Sequence, residues 1–264
     1  MSNNSMKFNG VDLGGASYNL ILQDAPIPIT APSKLWKAKK PQAHGDHVKG
    51  AYLEPRVFRV KVVIHGTTFA DFQTKVDNVK SVLSPVNGDC EIQFDYDSTR
   101  YYVGRLQAGL DGYPFGGRAA ELDLEFFCAD PLGYDPNETT VTNYDGTETI
   151  AYTGSALCPP VITGHRDTAD IGATTSVENS TRSETCAVSY VIGQNNHIRF
   201  DGVREIVEVS DDDVTYLPIM DWVDADDYTF PLLQNGNNAF VLTGFTNTGP
   251  SAYSWDLVYR TRFL

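Results

Sequence analysis

"RVFRVKVVIHGTTFADFQTKVDNVKSVLSP", residues Arg56–Pro85, begins as a strand pattern and continues directly into a helix pattern. In the first ten residues apolar side chains alternate with polar ones, which puts one set on a single face of a strand: Phe58, Val60, Val62 and Ile64. In the next segment apolar residues recur at the helical spacings of three and four: Phe69, Phe72, Val76, Val79 and Leu83. Thr68 and Asp71 resemble a capping box, and Pro85 stops the pattern. We therefore predict a half-buried strand and a helix over residues 69–83 that packs on the same sheet.

In two more stretches of the first half, apolar and polar residues alternate in the same way. This alternation predicts strands with one buried and one solvent-exposed face. The first has a short apolar face: Ile92, Phe94 and Tyr96. It runs into "DYDSTRYY", residues 95–102, which predicts a hairpin with an apolar return strand: Tyr101, Val103 and Leu106. The second is "ELDLEFFC", residues 121–128, with alternate apolar residues: Leu122, Leu124, Phe126 and Cys128. The first half is thus predicted to be an α+β domain with one helix on one sheet.

The second half has no helical pattern of useful length and offers short strand patterns separated by Gly, Asn, Asp and Pro. Such spacing is typical of an all-β sandwich or jelly roll. The last pattern has a continuous apolar face: Tyr253, Trp255, Leu257 and Tyr259. Within "FPLLQNGNNAFVLTG", residues 230–244, Asn235 and Gly236 tolerate positive φ. We interpret them as the turn that brings the last two strands of the sandwich together.

A change of composition separates the two halves. Residues 1–133 contain 14 Lys and Arg against 15 Asp and Glu, and residues 134–264 contain 6 against 19. The net charge is therefore −1 in the first part and −13 in the second. Pro131 and Pro136 cannot donate strand hydrogen bonds, so the last strand of the first half should end near Ala129. We predict one domain over residues 1–133 and another over 134–264, and we do not expect the acidic second domain to bind nucleic acid.

Motifs of catalysis are absent from the sequence, which has no G-x-S-x-G, H-E-x-x-H, P-loop or G-x-G-x-x-G. The four cysteines lie far apart, so we interpret them as buried free thiols of a protein assembled in a reducing cytoplasm: Cys90, Cys128, Cys158 and Cys186. His44 and His47 are close in sequence, but we interpret them as part of a polar loop. No secretory signal or long apolar run is visible, and we expect a soluble protein that is not an enzyme and needs no cofactor.

Two aspartate-rich segments are the weak candidates for a metal site. They contain Asp211, Asp212 and Asp213 in the first, and Asp224, Asp226 and Asp227 in the second. Calcium takes six to eight oxygen ligands, which loops of a sandwich can supply. Neither segment has the spacing of an EF-hand loop, and aspartate is also common in exposed turns and on sheet edges. We favour the turn interpretation and predict no metal.

A basic segment stands out in the otherwise acidic chain. Within "SKLWKAKKPQAHGDHVKG", residues 33–50, five lysines accompany one tryptophan: Lys34, Trp36, Lys37, Lys39, Lys40 and Lys49. Basic residues with an aromatic could bind single-stranded nucleic acid by charge and stacking. The segment is short, however, and the domain around it is neutral overall. We favour a protruding arm that docks on an acidic neighbour.

The order of these features resembles the distal tail protein (Dit) family of long-tailed, non-contractile bacteriophages. The first half carries the resemblance in four stretches around the helix: "MKFNGVDLGG" (6–15), "RVFRVKVVIHG" (56–66), "DCEIQFDYDSTRYYVGRL" (89–106) and "ELDLEFFCADPLGY" (121–134). The second half carries it in three: "NYDGTETIAYTGSALCPPVITGH" (143–165), "FPLLQNGNNAFVLTG" (230–244) and "DLVYRTRFL" (256–264). Together these stretches extend over most of the chain.

The resemblance implies a structural virion protein at the tail tip, assembled in the cytoplasm of the bacterial host. Its first domain would form a ring with copies of itself, usually a hexamer, below the major tail tube protein, with a central channel through which DNA passes without specific binding. Its second domain would be a galectin-like or carbohydrate-binding-module-like sandwich that carries tail hub or receptor-binding proteins. The basic segment lies in a loop that in the family can reach neighbours. The alternative is a carbohydrate-binding module that recognises the host cell envelope.

Overall fold

The structure is a computed structural model that describes residues 5–25, 32–39, 46–109, 112–115, 117–143, 146–166, 175–189, 197–243 and 253–264. The chain divides into two compact units, Met1–Pro136 and Asn137–Phe263, each with its own hydrophobic core. The division lies just after the second Asp-Pro step, three residues beyond the boundary predicted from composition. The mainly β fold class predicted from the sequence is confirmed.

The first unit contains one helix, α1 (Phe69–Val82), and these strands: β1 (Met6–Phe8), β2 (Val11–Asp12), β3 (Leu20–Asp24), β4 (Ser33–Lys39), β5 (Asp46–Leu53), β6 (Arg56–His65), β7 (Cys90–Phe94), β8 (Asp97–Ala108), β9 (Gly112–Phe115), β10 (Ala119–Cys128) and β11 (Gly133–Tyr134). Seven of them follow one another in the order β2-β1-β7-β8-β10-β6-β3, while β9 pairs with β10 and β11 with β8. All these pairs are antiparallel. β4 and β5 form a separate two-stranded sheet.

The centre of the first unit is the pair β6–β10, which runs in register from Ala119 opposite His65 to Cys128 opposite Arg56. Because side chains alternate along a strand, the apolar residues predicted from the sequence all lie on one face. They are buried together: Phe58, Val60, Val62, Ile64, Leu122, Leu124, Phe126 and Cys128. The opposite face carries charged residues of both strands, including the pair Arg59–Glu125 at 2.9 Å, whereas Arg56 at the start of β6 lies on the buried face.

Helix α1 begins where the sequence predicts, because Thr68 caps it. The Thr68 hydroxyl accepts a hydrogen bond from the Asp71 amide at 3.1 Å, and the Asp71 carboxylate accepts one from the Thr67 amide at 2.7 Å. The helix packs on the sheet through Phe72, Val79 and the following Leu83. The prediction was wrong for Phe69, which is 57% exposed because the buried stripe starts one turn later. Lys75 is buried instead, and its Nζ lies 3.0 Å from Asp71.

The second unit is a sandwich of two antiparallel sheets, formed by these strands: β12 (Thr139–Asn143), β13 (Thr147–Tyr152), β14 (Val161–Arg166), β15 (Thr175–Asn179), β16 (Glu184–Val188), β17 (His197–Asp201), β18 (Ile206–Ser210), β19 (Leu217–Pro218), β20 (Val223–Tyr228), β21 (Gly236–Thr243) and β22 (Tyr253–Tyr259). The short strand β23 (Arg262–Phe263) follows them and belongs to neither of these sheets. One sheet has the order β12-β22-β14-β17-β18-β19 and the other β13-β21-β15-β16-β20. Residues of both sheets bury one apolar core.

The turn before β21 was interpreted wrongly from the sequence. Gly236 does adopt a positive φ of 100° and begins β21. However, β21 pairs with β13 and β15, whereas β22 pairs with β12 and β14 in the opposite sheet. The last two long strands therefore lie in different sheets and are not joined as a hairpin.

Candidate interaction surfaces

The basic segment is a two-stranded hairpin, which we call the arm and define as β4 with β5. In the described part of the chain these strands pair only with each other, from Ser33 opposite Leu53 to Lys39 opposite Asp46. Trp36 is 63% exposed and Leu35 48%. Lys40 and His44 lie outside the described residues, as do the side chains of Lys39 and His47.

The two faces of the arm differ because its side chains alternate. Lys34 and Trp36 lie on one face with Tyr52, and the Lys49 ammonium lies 5.5 Å from the centre of the Trp36 ring. Lys34 Nζ is 3.5 Å from Glu54, and Tyr52 and then Glu54 raise the pKa of Lys34. The other face carries apolar residues together with Lys37: Leu35, Ala51 and Leu53. A hairpin with so much exposed apolar surface is marginally stable alone, so the arm is suited to contact another surface.

The second aspartate-rich segment lies on an edge strand. β20 ends the five-stranded sheet in the described structure and contacts β16 through an irregular register. Asp224, Asp226 and Asp227 are exposed, and the Asp224 carboxylate accepts a hydrogen bond from the Asp226 amide at 3.1 Å. We call the open side of β20 the acidic edge. Exposed aromatic side chains lie at both of its ends: Trp222 and Tyr228.

The first aspartate-rich segment is a turn between β18 and β19. The Asp212 carboxylate accepts hydrogen bonds from the backbone amides of Val214 and Thr215 at 2.9 and 2.8 Å. These bonds, that of Thr215 foremost, lower the pKa of Asp212 to about 2. Asp213 accepts a hydrogen bond from the Tyr216 hydroxyl. Among the residues that the structure describes, no group of three or more His, Cys, Asp or Glu is arranged to hold a metal ion.

A row of polar side chains crosses the outer face of the six-stranded sheet. Five neighbouring strands contribute one residue each, and we call these residues the polar row: Thr142, Asp256, Thr163, Arg199 and Glu208. Arg199 donates from Nε to Glu208 at 2.9 Å, and its guanidinium lies 3.9 Å from the centre of the Tyr216 ring. Arg204 also contacts Glu208, at 2.7 Å. Glu208 is only 5% exposed, although it lies on the outer face.

The outer face of the five-stranded sheet is less charged at the equivalent positions. The equivalent row on its outer face has a single charged member: Thr147, Val241, Glu178 and Thr185. The polar row was missed in the sequence analysis, which examined the apolar alternation alone. Its signal was the other half of the same alternation: in "HIRFD" and "IVEVS" the polar positions are occupied by charged residues such as Arg199 and Glu208.

The four cysteines are free and buried. Burial raises the pKa of Cys128 and of Cys186 to about 12, and it raises the pKa of the other two as well. Such thiols remain protonated at neutral pH and are poor nucleophiles. In the described structure, no helix has the length and apolar character that a membrane-crossing helix needs.

Comparison with known proteins gives one consistent result, although no family model matches the chain. The distal tail protein of Bacillus phage SPP1 is 30% identical over 111 residues, which are 42% of this chain and 43% of that protein. The alignment thus covers less than half of the curated relative. The crystal structure of SPP1 Dit, described as a hub adsorption apparatus of phages that infect Gram-positive bacteria, matches with a TM-score of 0.77, 20% identity and 99% coverage of both chains.

Two baseplate structures show the same fold at greater distance. They are those of phage P2 in its activated conformation with Ca and with Sr, with TM-scores of 0.50 and 0.51 and 8% identity. Each match covers 97% or more of both chains. The resemblance predicted from the sequence is therefore confirmed, and the chain has the fold of the distal tail proteins of long-tailed bacteriophages.

Proposed function

We propose that the chain is a structural protein of a phage virion, the distal tail or baseplate hub that joins the tail tube to the tail-tip and host-adsorption apparatus. The observation that carries the proposal is the match to SPP1 Dit over 99% of both chains. The sequence match of 30% over 111 residues to the SPP1 distal tail protein also supports it. The inference that the chain is not an enzyme rests on the same similarity to structural tail proteins.

In this proposal the first unit forms a closed ring with copies of itself, which we take to be a hexamer. Symmetric closure repeats one head-to-tail contact, and the exposed arm is suited to provide part of it. The ring lies below the tail tube protein, and DNA passes through its centre without specific binding. The second unit faces outward and carries the hub or receptor-binding proteins. The net charge of −13 on residues 134–264 keeps crowded copies soluble.

The experiment is mass photometry and negative-stain electron microscopy of the purified full chain. A ring with six times the 29.1 kDa mass of the chain is expected. A variant with Ser33–Lys49 replaced by a short Gly-Ser linker should remain folded, as checked by cooperative thermal melting, and lose the ring. A chain that remains monomeric at every concentration, and that does not bind purified tail tubes, would contradict the proposal.

A second candidate function, recognition of host-envelope carbohydrate by the second unit, is favoured by the polar row. Arginine and carboxylate side chains fixed against each other on a sheet face can donate to and accept from the hydroxyl groups of a sugar. The acidic unit would repel polyanionic glycans, so the expected ligand is a neutral saccharide. Binding of the full chain to an array of bacterial envelope glycans tests this function.

The matched variants for the array are Arg199→Ala in the polar row and Glu178→Ala on the other sheet. Loss of binding at least tenfold in the first variant, with binding kept in the second, is the expected result. Equal binding by both variants, or no binding to any glycan of the array, would contradict carbohydrate recognition. Neither result would affect the tail-hub proposal.

A further inference from the structure

The dipeptide Asn-Gly occurs three times in the chain, at Asn9–Gly10, Asn87–Gly88 and Asn235–Gly236. All three asparagines are exposed, and the three glycines have positive φ values of 75°, 79° and 100°. An asparagine that precedes glycine is open to attack by the backbone nitrogen of that glycine, because glycine has no Cβ to hinder the approach. The three steps share this local chemistry, so the hydrogen bonds around each of them decide how readily it reacts.

The step at Asn87 is held on both sides of the reaction. Asn87 Nδ2 donates to two carbonyl oxygens at the end of α1, those of Ser81 and Val82, both at 3.2 Å. The Gly88 amide, which contains the attacking nitrogen, donates to the Pro85 carbonyl at 3.3 Å. These hydrogen bonds must break before the two groups can meet, which slows the reaction.

The step at Asn235 is held within the second unit. Asn235 Nδ2 donates to the Gly154 carbonyl at 3.1 Å, and Gly236 begins β21 opposite Tyr152 of β13. Rotation of the Asn235 side chain toward Gly236 would break the first hydrogen bond, and movement of Gly236 would disturb the start of a strand pair. Reaction at this step is therefore also slowed by the fold.

The step at Asn9 lacks such support. Asn9 and Gly10 form the two-residue turn between β1 and β2, directly after the pair Phe8–Val11. Their φ values of 51° and 75° are both positive, as a type I′ turn requires. Within the described part of the chain, neither the Asn9 side chain nor the Gly10 amide makes a hydrogen bond. A Cβ placed on Gly10 would meet no atom within 4 Å, so the space around the turn is open.

We propose that Asn9 is a site of spontaneous modification, at which asparagine is converted to isoaspartate and aspartate. The Gly10 nitrogen attacks Cγ of Asn9, a new N–Cγ bond closes a succinimide ring, and the Cγ–Nδ2 bond breaks. Ammonia leaves and takes up the proton of the Gly10 amide. Water then opens the ring: addition at Cγ gives aspartate, and addition at the backbone carbonyl carbon gives isoaspartate. Water is the only co-reactant, and nothing is oxidised or reduced.

The isoaspartate product changes the turn itself. Its backbone continues through Cγ, so the loop gains one carbon atom, and the side-chain amide is replaced by a negative charge. The length of a hairpin loop fixes the register of its strands, and a longer loop disturbs the pair Phe8–Val11. Phe8 is 1% exposed and belongs to the core of the first unit. The modification should therefore destabilise this edge of the first unit.

Peptide mapping by mass spectrometry, on full-length protein aged at mildly alkaline pH, measures all three steps in one sample. Conversion at Asn9 should be at least fivefold faster than at Asn87 or Asn235, because the loss of even one net hydrogen bond slows attack by about that factor. An isoaspartyl methyltransferase with labelled S-adenosylmethionine identifies the isoaspartate product. The same chain aged in urea is the control, and there the three rates should converge.

Asn9→Gly is the matched variant, since glycine tolerates positive φ and has no amide to lose. After ageing, this variant should keep its melting temperature, whereas that of the wild type should fall as isoaspartate accumulates. Conversion at Asn87 or Asn235 as fast as at Asn9 in the folded chain would overturn the proposal, and so would conversion of Asn9 only after unfolding. Rates that differ as much in urea as in the folded chain would mean that neighbouring residues set them, which would overturn it as well.

Discussion

Asn238 and Gln234 exchange two hydrogen bonds across the turn that precedes β21. Asn238 Oδ1 accepts from the Gln234 amide at 3.0 Å, and Asn238 Nδ2 donates to the Gln234 carbonyl at 2.8 Å. The same Oδ1 accepts from Asn179 Nδ2 at 3.2 Å, and Asn238 is fully buried. One side chain thus takes the place of backbone pairing where the chain enters the sheet.

Replacement of Asn238 by Leu should lower the free energy of unfolding of the second unit by about 3 kcal/mol, because several buried polar groups lose their partners together. Urea denaturation followed by circular dichroism measures the effect. Asn237→Leu, one position away and exposed, is the control and should change stability by less than about 0.5 kcal/mol. Equal effects of the two substitutions would contradict the role given to Asn238.

Thr68→Ala should destabilise the first unit by about 1 kcal/mol, since the Asp71 amide loses its capping acceptor at the start of α1. The quantity to measure is the urea concentration at the midpoint of unfolding of that unit. Ser81→Ala, at an exposed position in the last turn of the same helix, should leave the midpoint unchanged. A Thr68→Ala variant as stable as the wild type would show that the cap contributes nothing.

Arg56 is a buried charge. It is 1% exposed, its Nε and Nη2 have no hydrogen-bond partner among the residues that the structure describes, and its guanidinium lies 5.2 Å from the centre of the Tyr102 ring. Replacement of such a group by an apolar side chain of similar length is often neutral or stabilising. Arg56→Met should therefore melt at or above the wild-type temperature. A clear fall in melting temperature would mean that the charge has a partner in the folded protein.

The turn at Asp212 should respond to acid. Its folded pKa of about 2 lies below the ordinary value of 3.8, so its contribution to stability is complete above about pH 4 and is lost as the pH falls through 2. The Asp212→Asn variant should have a lower melting temperature than the wild type at pH 7. This difference in melting temperature should disappear near pH 2. Asp211→Asn, which removes a carboxylate at an exposed neighbouring position, is the control substitution. A difference in melting temperature that does not change with pH would contradict the stabilising role of the ionised Asp212 carboxylate.

Local elements of this protein follow directly from its sequence. The strands β6 and β10 and the helix α1 were predictable because alternation and helical spacing report the environment of each residue along one element. Phe69 was the exception in the helix: spacing places a residue on a face, but the contact of that face with the sheet decides where burial starts.

Pairing between strands that are distant in the chain was harder to predict from the sequence. The apolar face of β22 predicted a strand, but nothing in its own residues says that it lies between β12 and β14 rather than beside β21. The polar row has the same origin, because Thr142, Asp256, Thr163 and Arg199 come from strands that are far apart in the chain and meet only through that pairing. Only Arg199 and Glu208 lie on successive strands. The arm was visible as a basic segment, whereas the acidic edge became recognisable only when β20 was found at the end of a sheet.

The position of β22 has a consequence for biosynthesis. Thr139 in β12 pairs with Tyr259 in β22, which is 120 residues later, and β22 also pairs with β14. The six-stranded sheet lacks an interior strand until that segment has been translated. The first unit can fold on the ribosome before the second unit is complete. Contacts between residues so far apart in the chain also form slowly. During that interval the nascent sandwich exposes apolar strands, so its expression should depend on chaperones and on temperature more strongly than its final stability would suggest.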